Sequence, residues 1–102
     1  MYYIYILFSE SADKYYVGYS QFPNERLLKH NQQESLNTFT RKFCPWKIVA
    51  LFEVSEDKAN VIAVERFIKR QKSRKFIEML CDENHQLSGI LAQLVRVPNL
   101  RD

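Results

Sequence analysis

Two runs decide the fold: Tyr2-Tyr-Ile-Tyr-Ile-Leu-Phe8 and, after the polar turn Ser9-Glu-Ser-Ala-Asp13, Lys14-Tyr-Tyr-Val-Gly-Tyr19. β-branched and aromatic residues fill the first run without a breaker, which is the composition of a strand. A period of two puts Tyr3, Tyr5 and Leu7 on one face and Ile4, Ile6 and Phe8 on the other. The link to the second run is too short for a crossover, so the pair reads as an antiparallel hairpin.

Downstream, Pro23 can open a helix at its first position, where a missing N–H costs little. That helix continues through Asn24-Glu-Arg-Leu-Leu-Lys-His30, with Leu27 and Leu28 as its core stripe and Arg26 and His30 on one shared face. Leu36 to Pro45 reads as a polar, basic loop carrying Thr40, Arg41 and Lys42. Trp46 to Val54 reads as a third strand, apolar on both faces and therefore covered on both. Ser55-Glu-Asp57 supplies a cap and acidic residues for a helix start. Over Lys58 to Gln71 the helical period puts Val61, Val64, Phe67 and Ile68 on one arc and Arg66, Lys69 and Arg70 opposite, with Glu65 at the border. Ser73 can cap a last helix, Arg74 to Leu80. The order β-β-α-β-α-α predicts one α+β domain, a three-stranded antiparallel-type sheet flanked by helices. The expected division is a domain over 1–81 and a C-terminal tail over 82–102, in which Ser88 to Val97 can form a short helix.

With 102 residues, 46% hydrophobic and 14% aromatic, the chain is long and apolar enough for one core and is not disordered as a whole. Cys44 and Cys81 lie in no metal-ligand or CxxC spacing and read as reduced thiols. No run approaches membrane-spanning length and no signal peptide is evident, so the expected location is the cytoplasm. The net charge of +3 permits a polyanion partner without demanding one. Much of the positive charge sits in the segment Arg66-Phe-Ile-Lys-Arg-Gln-Lys-Ser-Arg-Lys75.

Tyrosine suits any half-buried strand, so the hairpin tyrosines alone prove little. Their spacing adds more. Tyr3-Ile4-Tyr5 and Tyr16-Val17-Gly18 resemble the paired motifs that name the GIY-YIG nuclease superfamily, with Gly18 as the motif glycine. Arg26 falls where that family carries an arginine early on its first helix, His30 one turn later matches a histidine of many members, and Glu65 resembles the metal-binding glutamate. The likeness runs from about Tyr2 to about Leu80. Tyr-Tyr-Val-Gly-Tyr, Arg-Leu-Leu-Lys-His-Asn, Pro-Trp-Lys and Lys-Ser-Arg-Lys resemble the small single-domain bacterial branch, similar to the nuclease domain of the excision-repair excinuclease. Tyr3 replaces the family's first glycine, Val17 replaces isoleucine, and the asparagine that larger members carry after the glutamate has no assigned counterpart.

The resemblance implies an endonuclease that hydrolyses DNA phosphodiesters, directed by structure rather than sequence, with a role in DNA repair or recombination. It implies Tyr5, Tyr16, Arg26, His30 and Glu65 as catalytic residues and Mg²⁺ or Mn²⁺ at Glu65. The chemistry suits these side chains. Arginine offers a permanently charged fork to a phosphate. A lone carboxylate suits Mg²⁺, which keeps most of its waters. A phenol with a pKa of about 10 is a poor base unless cations bias it. The family mechanism implies a tyrosine base, Tyr16 first and Tyr5 second.

Each residue also has a plainer reading. Arg26 and Glu65 can be surface charges, Glu65 can merely pair with Lys69, and His30 can be a helix-end histidine. The basic segment can be a solvated helix face, or a phosphate-facing strip of Arg66, Lys69, Arg70, Lys72, Arg74 and Lys75, extended by Arg41, Lys42 and Lys47. No element looks built for reading base edges. DNA is the expected partner with RNA not excluded, alongside a recruiting protein, and the oligomeric state is a monomer or weak dimer. The alternative function is a non-catalytic nucleic-acid-binding module using the same basic face.

Overall fold

A computed structural model describes residues 1–32 and 37–98. Strand β1 (Tyr2–Ser9) and strand β2 (Lys14–Ser20) form the expected antiparallel hairpin. Strand β3 (Lys47–Ser55) pairs antiparallel with the other edge of β1. The central strand is thus buried on both faces, and its period-two pattern feeds two separate clusters. Ile4 and Ile6 join Val17, Ala50, Phe52, Val61, Val64, Ile68 and Leu80. Tyr5 and Leu7 join Trp46, with Tyr16, Leu27, Phe43 and Ile48 packed around them.

The helices follow from their caps. Helix α1 (Pro23–His30) opens on its proline. Helix α3 (Lys58–Arg70) is capped by Asp57, whose side chain accepts from the Ala59 N–H, and buries Val61, Val64 and Ile68. Helix α4 (Arg74–Cys81) is capped by Ser73, which accepts from the Phe76 N–H.

Two features differ from expectation. The segment read as a loop contains a short helix, α2 (Thr38–Lys42), capped by the Asn37 side chain on the Thr40 N–H; Leu36 lies outside the described residues. The sheet has a fourth strand, β4 (Val95–Arg96), giving the order β2-β1-β3-β4. Two residues are too few to show a period, so this strand leaves no sequence signal. Side chains hold it. The Arg96 guanidinium lies 5.3 Å over the Phe52 ring and donates to the carbonyls of Leu80 (2.6 Å) and His85 (3.1 Å). Ahead of it, Gly89–Gln93 forms a 3₁₀ turn, and Leu91 and Leu94 are buried in the larger core cluster. Among the described residues no helix is long and apolar enough to cross a membrane. Cys44 and Cys81 are both free thiols.

Candidate active site

Tyr5 pairs with Gly18 across the hairpin, and the glycine is what makes room for it. A Cβ at residue 18 would lie 2.4 Å from Tyr5 Oη and 2.5 Å from Cζ, a distance real Cβ atoms do not show. The phenol therefore lies over the backbone of β2 and reaches His30 at the end of α1. Its Oη is 2.9 Å from His30 Nε2, and His30 Nδ1 is 2.9 Å from Thr40 Oγ1.

The direction of these bonds follows from the threonine. Thr40 donates its single hydroxyl proton to the Asn37 carbonyl at 3.2 Å. Its oxygen can then only accept from His30, so Nδ1 carries the imidazole proton and Nε2 presents a lone pair. Tyr5 consequently donates to His30. Burial supports the neutral ring: desolvation first, then the nearby Arg26 guanidinium, push the His30 pKa down to about 4. Tyr5, Thr40 and His30 are all buried. Desolvation also drives the Tyr5 phenol up to about 12, against the pull of a hydrogen bond from Arg26 and with the negative potential of Tyr16 and Glu65 adding to it.

Tyr16 is half-buried on the same side of the hairpin, its ring 5.0 Å from that of His30. Asn37 Nδ2 donates to Tyr16 Oη at 3.0 Å. The short helix thus steadies both tyrosines, Tyr16 through Asn37 and Tyr5 through Thr40 and His30. A second asparagine, Asn31 at the end of α1, grips the Trp46 backbone, accepting from its N–H and donating to its carbonyl at 3.0 Å. The indole N–H of Trp46 in turn donates to the Thr40 carbonyl at 2.8 Å.

Arg26, exposed in the first turns of α1, is close enough for its charge to lower the Tyr5 and His30 pKa values. Glu65, on α3, has a side chain only 12% exposed, with Lys69 Nζ at 3.6 Å. Desolvation raises its carboxyl above the ordinary range, and Lys69 and Arg66 only partly oppose this. Lys69 also lies 5.3 Å over the Tyr16 ring, which brings this stripe of α3 to the tyrosines. Tyr5 and Tyr16 thus both contact His30, Arg26 acts electrostatically on Tyr5 and His30, and Glu65 is linked to Tyr16 through Lys69.

The basic residues are less uniform. Arg66, Lys69, Arg70, Lys72 and Lys75 are exposed along α3 and the start of α4, and Arg41 and Lys42 are exposed on α2. Lys47 is paired with Glu10 at the far end of the hairpin. Arg74 is paired with Asp13 at 2.6 Å and Glu78 at 3.3 Å.

A divalent ion would find a single carboxylate here, that of Glu65. Among the described residues no three His, Cys, Asp or Glu side chains converge. Glu65 nevertheless fits an ion that keeps most of its waters: its carboxylate is largely withdrawn from solvent and only partly compensated by Lys69.

Sequence reading missed Asn37 as a site residue and gave Thr40 no role. The available signal was local: Asn37 is a good N-cap, and Asn37-Thr-Phe-Thr40 is long enough for one helical turn. The contacts to Tyr16 and His30 are long-range and leave no local pattern.

The fold and the site define the class: a small α+β domain whose central hairpin brings two tyrosines onto one buried histidine. The family model described as the GIY-YIG catalytic domain matches residues 1–77, and the chain belongs to that nuclease family. No curated protein and no solved structure matched the chain.

Proposed function

We propose that this domain is a divalent-metal-dependent endonuclease that hydrolyses DNA phosphodiester bonds, guided by backbone and shape rather than base sequence. A role in DNA repair or recombination, in the bacterial cytoplasm, suits such an enzyme. The observation that carries the reading is the pair of motif tyrosines gathered on His30, with Lys69, the partner of Glu65, over the Tyr16 ring.

In this reading Arg26 clamps a phosphoryl oxygen while hydrogen-bonded beside Tyr5. Tyr16 orients the attacking water and takes its proton while its own phenolic proton passes to bulk water; the bond from Asn37 occupies only one of its acceptor positions. Tyr5, donating to neutral His30, turns its lone pairs toward Arg26 and the substrate. His30 has both ring nitrogens engaged, so it positions Tyr5 rather than touching phosphate. Glu65 would hold Mg²⁺ or Mn²⁺, which when bound supplies Lewis-acid polarisation and stabilises the leaving oxygen. The exposed cations of α3 would hold flanking phosphates.

The test is a cleavage panel of supercoiled, nicked, branched and single-stranded DNA, and matching RNA, with Mg²⁺, Mn²⁺ or EDTA. Metal-dependent cutting of DNA, lost in Glu65→Gln and in Arg26→Ala, is the expected result. Wild-type cutting by either purified variant overturns the assignment.

A further inference from the structure

A groove of about 360 Å³ runs beside Tyr16, between β2, α2 and the junction of α3 with α4. Its size lies in the range of clefts that seat small-molecule-sized groups. Its apolar wall is Tyr15, Phe39, Ile68 and Ile77, and its cationic rim includes Lys14, Lys69 and Lys72. Phe39 is 41% exposed, an unusual state for so large an apolar ring. Its ring neighbours are Phe43 at 5.1 Å, Trp46 at 5.8 Å and Tyr16, stacked at 6.1 Å and 29°. Phe39 and Lys69 thus link the groove wall to the ring of the proposed catalytic tyrosine.

Part of the charge on the rim is committed: Lys69 is paired with Glu65, and Lys14 lies 5.3 Å over the Phe43 ring. Arg74 and Asp13, also at the groove, neutralise each other at 2.6 Å. Among the described residues no carboxylate forms an ion pair with Lys14 or Lys72. Lys72 adopts a φ of 48°, at the turn between α3 and α4.

Resting on the nuclease reading, we propose that this groove is a subsite for one unpaired nucleotide next to the scissile phosphate. The base stacks on Phe39 against the apolar wall, and its phosphate meets Lys14 and Lys72. An aromatic ring beside a row of cations is the arrangement that holds single-stranded nucleic acid without reading its sequence. A base within a duplex is covered by its neighbours on both faces and cannot stack on Phe39. Only a nucleotide already unpaired, or extruded at the expense of its stacking, can enter. The preferred substrate is then a gap, flap, bulge or mismatch rather than continuous duplex, a preference set by the groove rather than by base-edge contacts.

The test separates this proposal from the nuclease reading by using binding without turnover. The full chain in EDTA is titrated with a single-stranded oligonucleotide containing 2-aminopurine, whose fluorescence falls on stacking. The variants are Phe39→Ala, and Lys72→Asn, which removes the charge with a residue that tolerates positive φ. Quenching by the wild type, with affinity lowered about five- to 100-fold in Phe39→Ala, is the range of one lost base–aromatic stack and supports the proposal. A shallower salt dependence in Lys72→Asn supports the phosphate contact. Equal quenching and affinity in wild type and Phe39→Ala, with both proteins folded by circular dichroism, overturns it. Loss of polyglutamate binding with undiminished oligonucleotide binding assigns the groove to acidic peptide and also overturns it. If cleavage is absent throughout, these binding results still decide the matter. If cleavage is present, the ratio of cutting at substrates with an unpaired nucleotide to cutting of continuous duplex should fall in Phe39→Ala.

Discussion

The Tyr5 hydroxyl donates to His30 Nε2 across 2.9 Å, so the histidine in this site is an acceptor with no proton to give on that side. That polarity is set by Thr40, which accepts the Nδ1 proton because its own is given to the Asn37 carbonyl.

Replacing Thr40 by Val should therefore do more than remove a methyl-sized polar group. It strands a buried N–H, at a stability cost of about 1–3 kcal/mol. It also frees His30 to change tautomer, which would turn Nε2 into a donor and expel the Tyr5 proton from its place. Cleavage should fall, and Thr40→Ser should restore both stability and activity. Urea denaturation and initial cleavage rates on the three proteins check this; Thr40→Val cutting at the wild-type rate would remove the positioning role.

The stability of the domain should depend on His30 in mildly acidic solution. The folded pKa, about 4, lies below the ordinary value of 6.5. Between those values the unfolded chain binds a proton that the folded chain does not, so stability rises with pH through that window. The contribution is fully present above about pH 6.5 and is lost as pH falls toward 4. Its size is on the order of 3 kcal/mol. His30→Gln should flatten the pH dependence of unfolding between pH 4 and 6.5, measured by chemical denaturation.

Gly18 marks how much of this site was legible in the sequence and how much was not. The glycine, both tyrosines, Arg26 and Glu65 could be read as candidates from their resemblance to the family's motifs, while the hairpin and helices that carry them could be read from local patterns. The reason for the glycine could not, because it lies in the Tyr5 ring opposite, where an added Cβ meets Oη, Cζ and Cε1 within 3 Å. Asn37 and Thr40 stayed hidden for the same reason: a polar side chain in a short helix carries no mark of which strand it faces. The fourth strand was hidden because it is two residues long and is held by Arg96, whose partners are backbone carbonyls of no particular sequence.

Gly18→Ala should thus destabilise by about 1–3 kcal/mol, the usual cost of overpacking a filled site. Tyr5→Phe should not rescue it, because ring carbons as well as the hydroxyl stand within 3 Å of the new methyl. Tyr5→Leu in the Gly18→Ala background should recover part of the stability while remaining inactive. Thermal melts of the single and double variants give the coupling directly; full rescue by Tyr5→Phe would show that the hydroxyl alone is crowded.

The two tyrosines should separate kinetically. Tyr5 is buried, pushed up to about 12 by desolvation, and donates its proton to His30. Tyr16 is half-buried and accepts a bond from Asn37. If Tyr16 takes the water's proton, Tyr16→Phe should lower kcat by about 10²–10⁴, the range of a lost general base. Tyr5→Phe should keep the base and lose only orientation, giving a smaller drop. Single-turnover cleavage under saturating enzyme compares them; a larger loss in Tyr5→Phe reverses the assignment.

Glu65 offers a test in which activity and stability move in opposite directions. Burial raises its carboxyl pKa despite Lys69 at 3.6 Å, so its ionised form is disfavoured by folding. A charge at that position carries a desolvation cost that the amide of Glu65→Gln does not. The variant should be as stable as wild type or more so, while cutting nothing. Adding Mg²⁺ should reverse the order. An ion bound only by the folded wild type stabilises it by RT ln(1 + [L]/Kd), about 2.7 kcal/mol at a hundredfold excess over Kd. Glu65→Gln should melt at the same temperature with and without the ion. Melting curves in EDTA and in a Mg²⁺ series read both effects, and an equal Mg²⁺-induced shift in the two proteins would move the metal away from Glu65.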